Sequence, residues 1–272
     1  MEQYTKAAYA ASRIITDAYS TSFGLSIRLF DAPLRPHIYA IYGLVRIADE
    51  IVDTNRKDDS KDVLGDLEQE TYRALATGYS TNPIVQAFAT TARRYAINKQ
   101  LIEPFFSSMR ADLSPQTYDK KKYDAYIYGS AEVVGLMCLK AFLDDESAYK
   151  KLASGARRLG AAYQKVNFLR DLAADADELN RWYFPTGSYE SFDETQKQRI
   201  IADISTDLKA GRAAIDKLPT SCRRAVLLSY KYYQTLLNKI ERTSAEKLKH
   251  QRIRVPDVQK VALLTGVAVR GK

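Results

Sequence analysis

The sequence has few of the residues that interrupt helices or bind soft metals. Its 272 residues include only 12 Gly, 8 Pro, 2 Cys and 2 His. The two cysteines, Cys138 and Cys222, fall in different helical patterns without metal-ligand spacing, so we expect buried free thiols. With only His37 and His250, and no Glu-x-x-His motif, a di-iron helical bundle is disfavoured.

Long apolar segments are also missing. No run of about 18 apolar residues exists, and the N-terminus lacks the charged-then-apolar order of a signal peptide, so we predict a cytoplasmic protein. No Pro/Gly/Ser-rich linker divides the chain, and long segments with helical periodicity fill it. The pattern predicts an all-α fold, with residues 1–272 forming a single-domain helical bundle.

Charge is unevenly distributed along the chain. The formal net charge is +8, and residues 231–272 hold ten Lys and Arg against three acids. Such a region suits nucleic acid, anionic lipid or a phosphorylated small molecule, and charge alone does not choose among them. The 19 tyrosines are scattered rather than interleaved with the basic segment, so we predict no nucleic-acid partner.

The segment 162–175 carries the strongest chemical signal. Its apolar positions, Ala162, Val166, Leu169 and Ala173, recur at helical spacing. If the segment is one helix, a polar stripe about 80° wide is formed on it by Gln164, Asn167, Asp171 and Asp175. Two carboxylates one turn apart with no lysine on the stripe favour a bound cation.

A second stripe of the same kind lies between about His37 and Asp53. Its members span roughly 60° of the helical wheel beside a broad apolar face, and they are Tyr42, Arg46, Asp49 and Asp53. Like charges about 6 Å apart repel by roughly 3 kcal/mol per pair at an effective dielectric near 20. Two such pairs lining one cavity would need counter-ions, and oxygen-only ligands select Mg²⁺, with Mn²⁺ as a substitute, bridging to a diphosphate.

Four other segments are candidates for the site. The Ser20-Thr21-Ser22 cluster suits either an anion site or an ordinary capped loop. Gly129 and Gly135 indicate either a kink or close helix packing. Arg181 and the aromatic residues after it follow the first stripe, and Arg252 with Arg254 suits phosphate oxygens. Residues 84–118 indicate only scaffold.

With both aspartate stripes, the Tyr-Gly segment and the terminal Arg-Ile-Arg taken together, the chain resembles the squalene/phytoene synthase family. The resemblance runs from Tyr19 to Pro256 and is most specific in Tyr42–Asp53, Tyr126–Gly135 and Gln164–Asp175. Within the family the wording is most similar to that of bacterial phytoene synthases. The resemblance implies an all-α isoprenoid-synthase bundle around a central cavity.

The resemblance also implies roles for individual residues. The metal ligands would be Asp49, Asp53, Asn167, Asp171 and Asp175. Diphosphate and substrate contacts would come from Ser20, Ser22, Arg46, Gln164, Arg170, Tyr233 and Arg252. The rings at the reacting end, where a carbocation needs stabilising, would be those of Tyr42, Tyr128 and Tyr183.

The implied activity is the head-to-head condensation of two geranylgeranyl diphosphates to phytoene through a cyclopropylcarbinyl diphosphate, in carotenoid biosynthesis. NADPH is not expected for this product. The alternative is dehydrosqualene or squalene synthesis from farnesyl diphosphate, and chain-length selection is expected to involve Ile27 and Tyr39. A non-catalytic scaffold relative is a remote alternative, because such a protein would be expected to lose its carboxylates.

Two departures from the family pattern stand out. Thr21 occupies a position where relatives commonly have Lys, so one phosphate-facing cation is either missing or supplied by a neighbour such as Arg28. Glu132 stands where many relatives have Gly. The basic C-terminal region also suggests peripheral membrane contact for release of an apolar product, and no obligate protein partner is evident.

Overall fold

The computed structural model of the protein describes residues 2–53, 59–114, 118–177 and 181–270, with all their side chains except those of residues 175–177 and 269–270. These ranges form fourteen α-helices and one π-helical turn, and they contain no β-strand. The prediction of an all-α fold is therefore confirmed.

The helices follow one another through short connections. Before the π-helical turn they are α1 (Glu2–Tyr19), α2 (Thr21–Ile27), α3 (Arg35–Asp53), α4 (Ser60–Thr77), α5 (Pro83–Arg94), α6 (Lys99–Ala111) and α7 (Lys120–Ile127). The turn, Tyr128–Glu132, leads directly into the rest, which are α8 (Val133–Phe142), α9 (Glu146–Arg170), α10 (Leu172–Asp177), α11 (Glu194–Ile215), α12 (Thr220–Glu241), α13 (Ala245–Leu248) and α14 (Asp257–Arg270).

Side-chain caps begin several of these helices. The side-chain oxygens of Asn82, Asp145 and Asp193 accept hydrogen bonds from backbone N–H groups in the first turns of α5, α9 and α11. Such caps contribute about 0.5–2 kcal/mol each. Local sequence thus decides where these helices start.

The apolar face of α3 is buried as its periodicity predicts. Ile41, Leu44, Ala48 and Val52 are each at most 3% exposed, and Val45 packs against the same core while half-buried. Helix α3 packs against α1, α5 and α8. Because this face is fixed in the core, the polar edge of the helix is held in a fixed position.

A second core fixes α9. Ala162, Val166 and Leu169 have no exposed surface and lie in a cluster with apolar residues of α11 and α12. The long helix therefore presents its polar stripe from a rigid support, as α3 does.

Helix α9 ends earlier than the sequence pattern predicts. The interpretation of residues 162–175 as one helix is wrong at Asp171, where φ is −100° and ψ is 10° and the chain leaves the α-helical conformation before α10 begins. The Asp171 N–H still donates to the Asn167 carbonyl at 2.8 Å. Aspartate has a low helix propensity, and here its carboxylate is also held by two arginines, Arg170 and Arg252.

The π-helical turn explains the two glycines of the Tyr-Gly segment. A Cβ atom on Gly129 would lie 2.2 Å from both the Pro104 carbonyl oxygen and Ser108 Oγ, and one on Gly135 would lie 2.8 Å from the Ala156 carbonyl oxygen. Both alternatives raised by the sequence are therefore present, because the helix is locally widened and its neighbours α6 and α9 pack against its backbone.

Within the described ranges, no helix combines the length and the apolar character needed to cross a bilayer.

We expect Gly129→Ala to lower the free energy of unfolding by about 1–3 kcal/mol, because the added methyl group has no space between two helices. Gly65→Ala is the matched control, since a Cβ at that position in α4 meets nothing within 4 Å. It should stabilise the protein by about 0.5–1 kcal/mol through helix propensity. Urea denaturation of both variants is the measurement, and equal stability of the two would contradict the close packing.

Candidate active site

The polar edge of α3 carries the first group of predicted site residues. Asp49 is about one-third exposed, and the nearest guanidinium nitrogen of Arg46 lies 4.0 Å from it while another donates to Glu50 at 2.6 Å. Burial, followed by the nearby Asp53 carboxylate, raises the pKa of Asp49 to about 7. The carboxylates of this edge therefore repel each other, as the stripe predicts.

The second group gathers where α9 ends. The Arg170 Nε donates to Asp171 Oδ1 at 2.9 Å, and Arg252 Nε lies 2.6 Å from the same oxygen. Of the two arginines in the terminal Arg-Ile-Arg sequence, Arg252 thus joins this cluster, whereas Arg254 is exposed on the surface. Asp171 is paired with two cations from separate elements.

Asn167 presents an oxygen without a partner. Its Oδ1 is buried and accepts no hydrogen bond from the described residues, although the same side chain hydrogen-bonds to the Tyr233 phenol. Tyr233 is held in turn by stacking on Tyr163, with ring centroids 3.9 Å apart. A buried acceptor left unsatisfied costs about 1–3 kcal/mol, so this oxygen is suited to receive a ligand.

Two phenols connect the α3 edge to the α9 cluster. Burial raises the pKa of Tyr42 to about 12, and the Tyr233 phenol is close enough to add to that effect. Tyr42 also hydrogen-bonds to the Ser20 hydroxyl and stacks on Phe23 with centroids 5.0 Å apart. The two predicted stripes therefore meet at these rings, beside the start of α2.

Ser20 serves as the cap that the sequence left as one alternative. Its Oγ accepts a hydrogen bond from the Phe23 N–H at 3.2 Å and begins α2. The hydroxyl also lines a cavity of about 330 Å³ together with Thr21 and Arg28. The capped-loop interpretation is thus confirmed, and the anion site stays a prediction.

Lys260 is a cation that sequence reasoning missed. From α14 its Nζ donates to Thr21 Oγ1 at 2.9 Å and lies 2.9 Å from Asp257, with the lysine side chain 16% exposed. Thr21 is the position where relatives commonly have Lys, so a positive charge reaches it from a residue 239 positions further along the chain. No local pattern could have linked the two residues.

Asp112 is a second residue that the sequence pattern left in the scaffold, and that interpretation is wrong. Its carboxylate accepts hydrogen bonds from Tyr126 at 2.7 Å and Tyr183 at 3.2 Å. Arg181 donates to the Asp112 carbonyl oxygen at 2.8 Å and to Asp53 Oδ1 at 2.8 Å. Burial raises the pKa of Asp112 to about 6, although Arg181 favours the charged form.

The rings around Asp112 form an aromatic wall. Tyr183 stacks on Phe168 with centroids 4.1 Å apart and packs obliquely on Tyr126 at 5.2 Å. The prediction that aromatic residues after α10 lie near the carboxylates is confirmed for Tyr183, which reaches Asp53 through Arg181.

The remaining predicted residues are less closely connected to this cluster. Ser22 lies within α2, and Gln164 is half-buried on α9. Tyr128 lies in the π-helical turn, where its ring faces the Arg157 guanidinium at 5.2 Å. The side chain of Asp175 lies outside the described residues, so its predicted role stays a prediction.

The donors present fit a hard cation that completes its coordination elsewhere. Among the described side chains, no three acidic, histidine or cysteine groups form a ready metal cluster. Asp49, Asp53 and Asp171 each face an arginine instead, while the Asn167 oxygen has no described partner. Mg²⁺ commonly uses one or two carboxylates with waters and phosphate oxygens, so this arrangement fits Mg²⁺ arriving with a diphosphate.

Comparison with known proteins assigns the family. The sequence model of the squalene/phytoene synthase family matches residues 16–259, and the chain belongs to this family. Membership makes it a prenyltransferase enzyme of the phytoene and squalene synthase kind, as the aspartate stripes and the terminal Arg-Ile-Arg predict.

Individual relatives show both kinds of product. The chain is 25% identical to phytoene synthase of Arthrospira platensis over 97% of this chain and 93% of that protein. It is 27% identical to 4,4'-diapophytoene synthase of Staphylococcus haemolyticus over 70% of this chain and 66% of that protein. A crystal structure of a dehydrosqualene synthase with ligand has the same fold, with a TM-score of 0.84, 20% identity and 98% coverage of both chains.

The raised pKa of Asp49 predicts how stability depends on pH when no metal is present. The folded state holds this proton more tightly than the unfolded chain, so the stabilisation from protonation is lost as pH rises through about 7. Asp49→Asn should therefore gain stability relative to the wild type between about pH 5 and about pH 8. Urea titrations in EDTA measure this gap, with Asp66→Asn controlling for loss of an exposed charge; a gap independent of pH would contradict the assignment.

Proposed function

We propose that the protein condenses two geranylgeranyl diphosphates to phytoene in a Mg²⁺-dependent head-to-head reaction. The observation that carries this proposal is the meeting of the α3 edge and the α9 cluster, each bearing carboxylates paired with arginines, at Tyr42 and Tyr233. Family membership supplies the reaction class, and the phytoene synthase of Arthrospira platensis, matched over nearly the whole chain, supports the product.

The arginines are placed to serve both states of the site. Before substrate arrives, Arg170 and Arg252 offset the charge of Asp171, and Arg46 lies near Asp49. Guanidinium groups form paired hydrogen bonds with phosphate as readily as with carboxylate. We infer that these arginines turn to the diphosphate oxygens when the substrates bind. Lys260 and Ser20 would approach a diphosphate at the start of α2.

Metal would be held by Asp49, Asp53, Asn167, Asp171 and Asp175. Bound there, Mg²⁺ would supply positive charge that stabilises the departing diphosphates.

The aromatic residues serve the hydrocarbon part of the reaction. The faces of Tyr42 and Tyr183 lie beside the carboxylates, where a ring stabilises a cation through its quadrupole. Tyr128 belongs to the widened turn on the other side of the Tyr-Gly segment. Condensation would give a cyclopropylcarbinyl diphosphate, which then ionises, rearranges and loses a proton, and a closed apolar pocket must keep water from these cations.

The alternative product class is dehydrosqualene or squalene, made from farnesyl diphosphate. The fold shared with a dehydrosqualene synthase and the identity to 4,4'-diapophytoene synthase favour this alternative. Ile27 and Tyr39, expected to influence chain length, are both buried in the first core. The fold is common to both classes, so the product must be measured.

The deciding experiment offers farnesyl and geranylgeranyl diphosphate separately, with Mg²⁺, in the presence and absence of NADPH, and identifies the hydrocarbon by mass spectrometry. We expect phytoene from geranylgeranyl diphosphate, without need of NADPH. Dehydrosqualene alone would establish the alternative, and squalene formed only with NADPH would establish a reductive synthase. No turnover, with salt-dependent binding to oligonucleotides, would exclude both.

We expect Asp49→Ala and Asp171→Ala each to reduce turnover at least about 100-fold while the fold survives, because both remove charge that faces the leaving diphosphates. Asp66→Ala, on the exposed side of α4, is the matched control and should keep wild-type turnover. Product formation is measured by chromatography and folding by circular dichroism. Unchanged turnover in both site variants would refute the metal assignment.

A further inference from the structure

Arg181 is a buried cation at the edge of the predicted metal site. Its side chain is only 9% exposed, and its guanidinium donates to Asp53 Oδ1 at 2.8 Å and to the Val52 carbonyl oxygen at 3.1 Å, both at the end of α3. It also donates to the Asp112 carbonyl oxygen at 2.8 Å. One side chain thus ties the end of α3 to the end of α6.

This guanidinium is itself held in place. Arg181 donates weakly to the Tyr183 phenol at 3.4 Å, and that phenol donates to the Asp112 carboxylate. Tyr126 fixes the other oxygen of Asp112 at 2.7 Å. Because each partner is hydrogen-bonded to another element, the direction from which Arg181 approaches Asp53 is determined by the fold rather than by a flexible side chain.

The contact leaves Asp53 able to bind a further ligand. Arg181 engages Oδ1, and 39% of the Asp53 side chain remains exposed. The nearby Asp49 carboxylate is repelled by Asp53 and by Asp112, and it is attracted by Arg46 and by Arg181. Arg181 therefore combines two effects, since it orients one carboxylate and offsets the mutual repulsion of three.

We propose that Arg181 is a positioning residue that orients Asp53 for metal and diphosphate binding, an inference that rests on the proposed function. Groups that hydrogen-bond to metal-binding carboxylates commonly change metal affinity about 10- to 100-fold when they are removed. A purely structural ion pair between helices would instead affect stability and leave affinity in the folded protein unchanged.

The test measures Mn²⁺ binding in the presence of inorganic diphosphate by electron paramagnetic resonance, with no turnover involved. We expect Arg181→Met to weaken Mn²⁺ binding about 10- to 100-fold. Arg181→Lys should recover part of this loss, because lysine keeps the charge but cannot reach all the acceptors of the fork. Arg110→Met is the matched control, since it breaks a pair with Glu68 between α6 and α4 without touching this cluster.

A double-mutant cycle with Asp53→Asn shows whether Arg181 acts through Asp53. If it does, Arg181→Met should have little further effect on Mn²⁺ binding once Asp53 is changed, so the two effects are not additive. Circular dichroism and urea denaturation establish that each variant is folded under the conditions of the titration. Asp53→Asn also provides a comparison that does not depend on the folding of Arg181→Met.

Three results would overturn the inference. Mn²⁺ affinity of Arg181→Met within about twofold of the wild type, or tighter, would show that the pair is only structural or that its charge repels the metal. Additive effects in the cycle would show that Arg181 does not act through Asp53. Failure of the wild type itself to bind Mn²⁺ with diphosphate would refute the proposed function, which separates that failure from the first two.

Discussion

Carboxylates held near one another on rigid helices are the constraint on which the site depends. Asp49 and Asp53 lie on α3 with Asp112 close by, and an uncompensated group of this kind is unfavourable in a partly buried setting. The protein offsets it with guanidinium groups from distant parts of the chain, Arg181 for Asp53 and Arg252 for Asp171. The same pairs connect helices that are far apart in sequence, so the charge balance also helps to hold the cavity wall together.

The two cores make this arrangement possible. Because the apolar faces of α3 and α9 are buried in separate clusters, their polar edges are presented in a fixed direction. Close approach at Gly129 lets α6 pack against the widened turn, and the end of α6 carries Asp112 towards the end of α3. An aromatic wall then covers the carboxylates on one side. Packing, capping and charge therefore act on the same group of residues.

Much of this could be predicted from the sequence, and the parts that could not share a physical reason. Helical periodicity determined the buried faces of α3 and α9, and the recurrence of carboxylates one turn apart identified Asp49, Asp53 and Asp171. The break at Asp171 could not be predicted, because it depends on pairing with Arg252 across the fold. Asp112 and Lys260 were missed for the same reason, since each acquires its meaning only from contacts with residues distant in sequence.

The central claim is that the α3 edge and the α9 cluster form one metal and diphosphate site. A crystal structure with Mn²⁺ and an unreactive thio-diphosphate analogue of the prenyl substrate, with anomalous scattering recorded at the manganese edge, tests it most directly. The account predicts manganese peaks bridging the diphosphate to Asp49 or Asp53 and to Asp171 or Asn167, with Arg252 turned towards phosphate oxygens. Diphosphate bound elsewhere, or manganese distant from both aspartate groups, would contradict it.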